Sequence, residues 1–325
     1  MTDFLSNQAF FHGFCDWKEQ DGGVFLTHLP EKTHDWYREE SERWSMRAHC
    51  YAGIRLEAET NATKLTFSLQ YLDGDTPLAS FGVVIDGEVQ PVVSLVPEEL
   101  NNPVEIALDG QPHKVIIYFP HLISFTIKSA VADGDATPIA PIEKRYYAFG
   151  DSITQGITGE NPANTYPAQV ARAFHLEHWN FGVGGIHFNE GTLTGMEEMP
   201  KADVVTIALG TNDWSAGKTE NMSTFLKKCA AYLKKIDELF HDSKIFVLLP
   251  TWRADEIQSM KRGNLQNIRE NIARTAAFFP NMKVIDCQDM IPHDTKLFAD
   301  GFLHPNEEGF LHYGTNLIAQ LQKEM

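Results

Sequence analysis

Apolar and polar positions alternate along the first part of the chain in a way that predicts β-strands. Residues 65–71 (LTFSLQY) alternate regularly, as a strand with one buried face does. Residues 81–89 contain Asp86-Gly87, a dipeptide typical of tight hairpin turns. Further strand candidates are residues 104–108, 115–119 and 125–127, the first two flanking a second Asp-Gly pair at 109–110. Many short strands joined by such turns predict an all-β sandwich, jelly-roll-like in type. The first 45 residues show no clear period.

The second part of the chain alternates short apolar strands with helices. The strand candidates are residues 146–149, 179–181, 204–209, 245–249 and 284–287. Between them, apolar residues recur mainly every three or four positions, as at Phe225, Cys229, Leu233 and Ile236, which predicts helices with one apolar face. This order predicts a parallel sheet covered by helices on both faces, with ligands at its C-terminal edge.

The composition changes around residues 130–141 (AVADGDATPIAP), where small residues, Gly and Pro predict a linker or a domain edge. The chain has 325 residues, enough for two domains that each bury a core. We therefore predict a β-sandwich accessory domain over residues 1–140 and a catalytic α/β domain over residues 141–325.

The overall charge limits the partners of the protein. The formal net charge is −17, which argues against nucleic acid or an anionic membrane as a partner, because both require basic surface. No apolar run is long enough to cross a membrane, and the N-terminus does not resemble a signal peptide. The four cysteines are scattered without CxxC spacing, so we expect free thiols and a cytoplasmic protein.

Unusual residues follow three predicted strands and precede the last helix. These blocks are Gly150-Asp151-Ser152, residues 180–185 (NFGVGG), residues 210–213 (GTND) and residues 300–306 (DGFLHPN). Carboxyl ends of parallel strands meet at one edge of a sheet, so we expect the four blocks to lie together.

The four blocks supply the groups that ester hydrolysis needs. Ser152 is the candidate nucleophile and His304 the candidate base. The N–H groups of Ser152 and Gly185 and the Asn212 side chain are candidate donors to an oxyanion. The structural alternatives are a helix N-cap for Ser152 and a turn residue for Asn212.

These motifs, Gly150-Asp151-Ser152-Ile153, Gly185, Gly210-x-Asn212-Asp213 and His304-Pro305-Asn306, resemble the SGNH (GDSL) hydrolase family in kind and in order. The resemblance covers about residues 143–325. It implies a flavodoxin-like, three-layer α/β/α domain and a serine esterase that needs no metal or cofactor. Ser152, Gly185 and Asn212 would then form the oxyanion hole, with His304 as the base.

One departure from the family pattern concerns the acid of the triad. The family places an aspartate three residues before the histidine, where this chain has Gly301. Asp300 lies four residues before His304, and we expect an extra loop residue to let it orient the imidazole. The alternative is a dyad in which a backbone carbonyl orients the ring.

A β-sandwich ahead of such a domain is similar, as an analogy of architecture, to two-domain carbohydrate esterases. The expected function is removal of short acyl groups, acetyl above all, from sugar or oligosaccharide esters. Alternatives are a general short-chain carboxylesterase or lysophospholipase, and a carbohydrate-binding protein with a vestigial site. Trp214 and Trp252 follow strand ends and are weaker candidates for a pocket wall; core packing is an equally good interpretation. A homo-oligomer is compatible with the sequence.

Overall fold

The structure, a computed structural model, describes residues 1–215, 221–258, 260–261 and 263–325. The N-terminal part contains thirteen strands and two α-helices among the described elements. They are β1 (Thr2–Asp3), β2 (Phe11–His12), β3 (Asp16–Gln20), β4 (Gly23–Thr27), α1 (Glu31–Glu40), α2 (Glu42–Ala48), β5 (Arg55–Thr60), β6 (Lys64–Gly74), β7 (Ala79–Ile85), β8 (Glu88–Val89), β9 (Val93–Leu95), β10 (Val104–Ala107), β11 (His113–Tyr118), β12 (Ile123–Ala132) and β13 (Ala136–Pro138).

The strands form two antiparallel sheets that enclose one core. One sheet has the order β10-β6-β12-β4-β3, with β1 beside β12. The other has the order β13-β5-β11-β7-β8, with β2 beside β5 and β9 beside β7. Alternate residues of β6, including Leu65 and Phe67, pack against alternate residues of β5 and β11, including Leu56 and Ile117. The predicted β-sandwich is therefore confirmed, and its cause is the period-two pattern of the strands.

The first Asp-Gly pair forms the predicted hairpin turn, whereas the second pair and the linker differ from the prediction. Asp86 and Gly87 both have positive φ, 49° and 90°, and join β7 to β8 as the expected tight hairpin. The Asp-Gly pair at 109–110 instead connects strands of opposite sheets, β10 and β11. The predicted linker over residues 130–141 is wrong in part. Residues 130–132 end β12, and β13 pairs with β5.

The C-terminal part is built from five strands and six α-helices among the described elements. They are β14 (Arg145–Gly150), α3 (Ser152–Gln155), α4 (Tyr166–Phe174), β15 (Glu177–Gly182), β16 (Val204–Ala208), α5 (Thr211–Ser215), α6 (Met222–Phe240), β17 (Lys244–Leu248), α7 (Leu265–Ala276), β18 (Met282–Ile285) and α8 (Glu307–Leu321). The strands form one parallel sheet with the order β15-β14-β16-β17-β18.

This order is the flavodoxin-like one, and helices cover both faces of the sheet. Tyr147 and Phe149 of β14 belong to the core shared with α6 and α7. Tyr146 and Ala148, which point the other way, belong to the core shared with α4 and α8. The predicted fold class is thus confirmed, while the boundary at residue 140 stays a prediction. Among the described residues, no helix is long and apolar enough to span a membrane.

Two features join the halves. Leu29, Tyr37 and Ala48, around α1 and α2, are buried in the same core as β14 and α6, so this helical pair covers the parallel sheet although it lies in the N-terminal sequence. The second feature is Arg55 at the start of β5.

Arg55 forms a buried ionic cluster between the sandwich and the parallel sheet. Its Nε lies 2.6 Å from Glu57 Oε1, and its Nη2 lies 2.9 Å from Glu177 Oε1 at the start of β15. Its Nη1 also donates to the backbone oxygen of His178 over 3.1 Å. Burial by itself raises the pKa of Glu177, but the charge of Arg55 and a hydrogen bond with His12 lower that pKa to about 2.

We expect Arg55→Met to lower the free energy of unfolding by about 3–5 kcal/mol, because it leaves Glu57 and Glu177 buried without their cation. Urea titration at neutral pH measures this change. The matched control is Lys64→Met, which removes an exposed ion pair with Glu105 and should change the stability by less than about 1 kcal/mol. Equal, small effects of the two substitutions would contradict the prediction.

Candidate active site

The ends of three neighbouring strands bring the sequence motifs to one edge of the parallel sheet. Gly150, the last residue of β14, is in register with Gly182 of β15 and with Ala208 of β16. A side chain at Gly150 would collide with Thr154, so only glycine allows the tight connection from β14 to α3. The first three blocks therefore lie together at this edge, as expected. The fourth block joins them through His304, which contacts Ser152.

Ser152 is the first residue of α3 and is buried to 3% exposure. It is not the N-cap of that helix, because Asp151 occupies that position and its Oδ1 accepts from the Ile153 N–H over 3.0 Å. The Ser152 hydroxyl is therefore not used for capping. Its Oγ lies 2.9 Å from Nε2 of His304.

His304 lies in the connection between β18 and α8, and its other ring nitrogen contacts Asp300. Nδ1 is 2.7 Å from Asp300 Oδ2. The second oxygen of this carboxylate, Oδ1, accepts from the N–H groups of Phe302, Leu303 and His304 over 3.0, 2.8 and 3.1 Å. Gly301 has φ of +77°, a conformation that favours glycine. The extra residue therefore lets the carboxylate fold back over its own loop and reach the imidazole.

These contacts affect the charge of Asp300. Burial alone raises its pKa, but the N–H groups of Leu303 and Phe302 and the contact with His304 outweigh burial and lower the pKa below its ordinary value. The carboxylate is therefore ionised at neutral pH, as an acid that orients a histidine must be.

The backbone N–H groups of Ser152 and Gly185 are two of the three predicted oxyanion donors. Gly185 has φ of +89°, and among the described residues neither its N–H nor that of Ser152 has an acceptor. The N–H of Gly184 is used differently, since it donates to Gln155 Oε1 over 2.7 Å. This difference favours Gly185 over Gly184 as the oxyanion donor.

Asn212, at the start of α5, is held by two oxygens. Its Nδ2 donates to the backbone oxygen of Ile186 over 2.9 Å, and lies 3.4 Å from Asp151 Oδ2. The first contact is a good hydrogen bond and the second is long, so one of the two Nδ2 hydrogens is only weakly engaged.

Asp151 is a buried acid directly beside the site. It is 2% exposed, and burial raises its pKa to about 7, with the Ile153 N–H opposing the rise and the neighbouring Asp213 adding to it.

Asp213 does more than brace its own turn. Its Oδ2 accepts a hydrogen bond from the Phe188 N–H over 3.3 Å and so connects the end of β16 to the segment that follows β15.

The structure places the two candidate pocket residues, Trp214 and Trp252, in different surroundings. Trp214 is fully buried in the core, donates from Nε1 to Gly263 O over 3.1 Å and packs under Arg253, so the prediction that it lines a pocket is wrong. Trp252 stacks on His293 at 4.8 Å and packs against Phe298. None of its contacts among the described residues is with Ser152 or His304, and a pocket role for it stays a prediction.

Sequence reasoning missed side chains that α2 contributes. Trp44 Nε1 and Arg47 Nη1 lie 3.3 and 3.4 Å from where a Cβ on Gly185 would be. The backbone oxygen of Arg47 accepts from Gln155 Nε2 over 3.0 Å. No pattern in the first 45 residues could have indicated this, because the approach of α2 to Gly185 arises only from the packing of the two halves.

One set of described residues has metal-ligand geometry. Ligand atoms of His12, Glu57 and Glu177 lie within 4.8 Å of one another. Arg55 already bonds both carboxylates, so a cation is present and a metal ion fits this cluster poorly.

The raised pKa of Asp151 predicts a pH-dependent stability. Below about pH 4 this carboxyl is protonated in both states, and between pH 4 and 7 it ionises only in the unfolded chain, so its contribution to stability falls as pH rises. Asp151→Asn cannot titrate. The unfolding free energy of the variant minus that of the wild type should therefore rise by up to about 1.4 kcal/mol per pH unit in this window. Urea titrations at half-unit steps measure it, and a difference that does not vary with pH would contradict the prediction.

Known structures share this arrangement across both halves of the chain. A salicylyl-acyltransferase, SsfX3, from a tetracycline biosynthetic pathway is 18% identical, with a TM-score of 0.82 over 97% of this chain and 94% of that one. A putative GDSL-like lipase from Bacteroides ovatus is 17% identical, with a TM-score of 0.73 over 96% and 94%. A family two carbohydrate esterase from Clostridium thermocellum, solved with cellohexaose, is 17% identical, with a TM-score of 0.63 over 85% and 93%.

No curated protein sequence matches this chain significantly. The model of the GDSL-like Lipase/Acylhydrolase family matches residues 148–310, half of the chain, and this range contains all four blocks at the sheet edge. The chain belongs to the GDSL-like lipase/acylhydrolase family and is a carboxylic ester hydrolase.

Proposed function

We propose that this protein is a serine esterase that removes short acyl groups, acetyl above all, from sugars or oligosaccharides. The observation that carries the proposal is the hydrogen-bonded series Ser152–His304–Asp300, with distances of 2.9 and 2.7 Å. Such a series activates a hydroxyl that is otherwise a weak nucleophile.

In the proposed reaction, His304 Nε2 takes the Ser152 proton while Oγ attacks the ester carbonyl. The tetrahedral oxyanion accepts hydrogen bonds from the N–H groups of Ser152 and Gly185 and from Asn212 Nδ2. The imidazolium then gives its proton to the departing alcohol and leaves an acyl-serine. Water, deprotonated by the same imidazole, releases the acid and restores the serine. Asp300, ionised, holds the Nδ1–H and stabilises the transient imidazolium.

The sugar part of the proposal rests on architecture. The chain shares its two-part arrangement with carbohydrate esterases, one of which was solved with cellohexaose. The net charge of −17 suits a neutral ester better than an acidic one.

Acyl transfer to an alcohol is a second candidate. The acyltransferase SsfX3 has the same arrangement over 97% of the chain. The acyl-serine would form as above, and an alcohol would replace water in the second step. The acceptor for the acyl group therefore separates the two candidates.

A cytoplasmic location is part of the proposal, supported by four cysteines that are all unpaired. The proposed steps use only groups of this chain and need no cofactor.

We expect Ser152→Ala to lower the rate of acetate release from 4-nitrophenyl acetate by at least about a thousandfold, because no other group replaces the attacking oxygen. Ser6→Ala, at an exposed serine whose hydroxyl donates to Asp3 O, is the matched control and should retain the wild-type rate. Equal rates for the wild type and Ser152→Ala would end the esterase proposal and favour a binding protein with a vestigial site. Repeating the assay with added alcohols measures transfer, since a transferase would form new esters at the expense of acetate.

A different substitution tests the acid. Asp300→Asn should lower kcat by well over tenfold, and by up to about ten-thousandfold. The amide can face the ring with its N–H, which makes Nδ1 the acceptor and leaves Nε2 protonated and unable to take the Ser152 proton. The same change at Asp294, which caps an exposed turn through the Lys296 N–H, should leave kcat unchanged. Near-wild-type kcat in Asp300→Asn would instead favour the dyad oriented by a backbone carbonyl.

A further inference from the structure

A cleft between the two halves of the chain opens next to the predicted catalytic residues. Its volume is about 290 Å³, near the lower end of the range for small-molecule sites, which begins at roughly 300 Å³. The sandwich contributes residues 75–78, Ser80 and residues 120–122. The α/β half contributes residues 157–160 and Ala299.

The α/β wall of this cleft is tied directly to the His304 loop. The Ala299 N–H donates to His304 O over 2.8 Å, and Thr158 Oγ1 donates to Pro305 O over 2.8 Å. The Ile157 side chain lies against Gly184, where an added Cβ would collide with it. One wall of the cleft therefore borders the loop that carries His304, and Ile157 of that wall packs against the glycine turn, residues 182–185.

Arg47 stands between the cleft and the glycine turn. Its Nε donates to Asp75 Oδ2 over 2.8 Å, and its Nη2 also bonds this oxygen. Its side chain is 11% exposed. Among the described residues, Nη1 has no acceptor, although it lies 2.8 Å from where a Cβ on Gly184 would be. A nearly buried guanidinium thus keeps one donor nitrogen beside Gly184.

Trp44 supplies a second donor to the same place. Its Nε1 lies 3.3 Å from the Cβ position of Gly185 and has no acceptor among the described residues. Its ring is fixed by stacking on Trp36 at 6.4 Å and by an edge contact with His187 at 5.5 Å. Two N–H donors from α2 therefore converge beside the predicted oxyanion donor Gly185.

The charge of this region determines what these donors can bind. Asp75 Oδ2 pairs with Arg47 and also lies 3.5 Å from Nη2 of the exposed Arg43. Glu160 adds a second carboxylate to the cleft, so the two arginines are balanced and Arg47 offers a strong donor without a net positive charge. An uncharged oxygen fits such a site better than a carboxylate. Thr76, Ser80, Thr158 and Glu160 supply polar groups along the cleft, between apolar surfaces such as Leu78 and Ile157. Such a mixture of polar and apolar surface matches the hydroxyls and C–H faces of a sugar ring.

We propose that this interdomain cleft binds the alcohol part of the substrate as a single neutral sugar residue, and that Arg47 Nη1 and Trp44 Nε1 bind the hydroxyl next to the acylated oxygen. This inference rests on the proposed esterase activity and adds where its sugar lies. The backbone oxygen of Arg47 supports Gln155 whatever the side chain is, so side-chain variants at this position separate sugar binding from support of the glycine turn.

The first test uses two acetate esters with different alcohols. Monoacetylated methyl xylosides fill the cleft, whereas vinyl acetate has a two-carbon alcohol that leaves it empty. Leu78→Trp, at a 46% exposed cleft position, should lower kcat/KM for the xylosides at least about tenfold relative to vinyl acetate. Leu72→Trp makes the same change at a 41% exposed position outside the cleft and should leave the ratio unchanged. An unchanged ratio in Leu78→Trp overturns the proposal.

The second test uses the hydroxyl itself. The wild type should prefer each monoacetylated xyloside about tenfold or more over its analogue that lacks the neighbouring hydroxyl, as expected for one charge-assisted hydrogen bond. Arg47→Lys keeps a cation beside Asp75 but loses the fork, so this preference should fall at least about fivefold, with Trp44 Nε1 accounting for what is left. A preference that is undiminished in Arg47→Lys, or a wild type without one, overturns the proposal. Hydrolysis of vinyl acetate that depends on Ser152 shows in either case that the esterase itself stands.

Discussion

The buried cluster around Arg55 fixes the relation between the two halves, and the candidate active site depends on that relation. One guanidinium bonds Glu57 in the sandwich and Glu177 in the parallel sheet, and it also reaches the backbone oxygen of His178. A buried cation with two carboxylates tolerates little displacement, because each separated charge would lose its partner in a medium that solvates it poorly. The halves are therefore held in one orientation.

That orientation brings α2 to the edge of the parallel sheet. The backbone oxygen of Arg47 accepts a hydrogen bond from Gln155 Nε2, and Gln155 Oε1 in turn accepts a hydrogen bond from the Gly184 N–H. The glycine turn that carries one predicted oxyanion donor is thus braced from the N-terminal half. Donors aimed at a developing charge are effective only if they are already in place, so a rigid brace behind the turn serves the chemistry proposed for it.

Much of this architecture follows from local sequence patterns. Period-two alternation in β6 and the Asp86-Gly87 turn predict the sandwich strands, and the five apolar strands predict the parallel sheet with its motifs at one edge. The helices α1 and α2 escape prediction, because their apolar residues pack on a core made by distant strands and follow no regular period. For a related reason the sequence leaves both a pocket wall and core packing open for Trp214, since a position after a strand end does not reveal whether the side chain turns outward or into the core.

The reach of Asp300 depends on a property that spacing cannot express. An aspartate four residues before the histidine could be too far or simply on a wider loop, and the sequence distinguishes these only through Gly301. With φ of +77° at that glycine, the chain turns so that three consecutive N–H groups meet one carboxylate oxygen, while the other oxygen faces His304. The inserted residue therefore does not weaken the contact with the imidazole. It adds backbone donors that hold the carboxylate in place and keep it ionised.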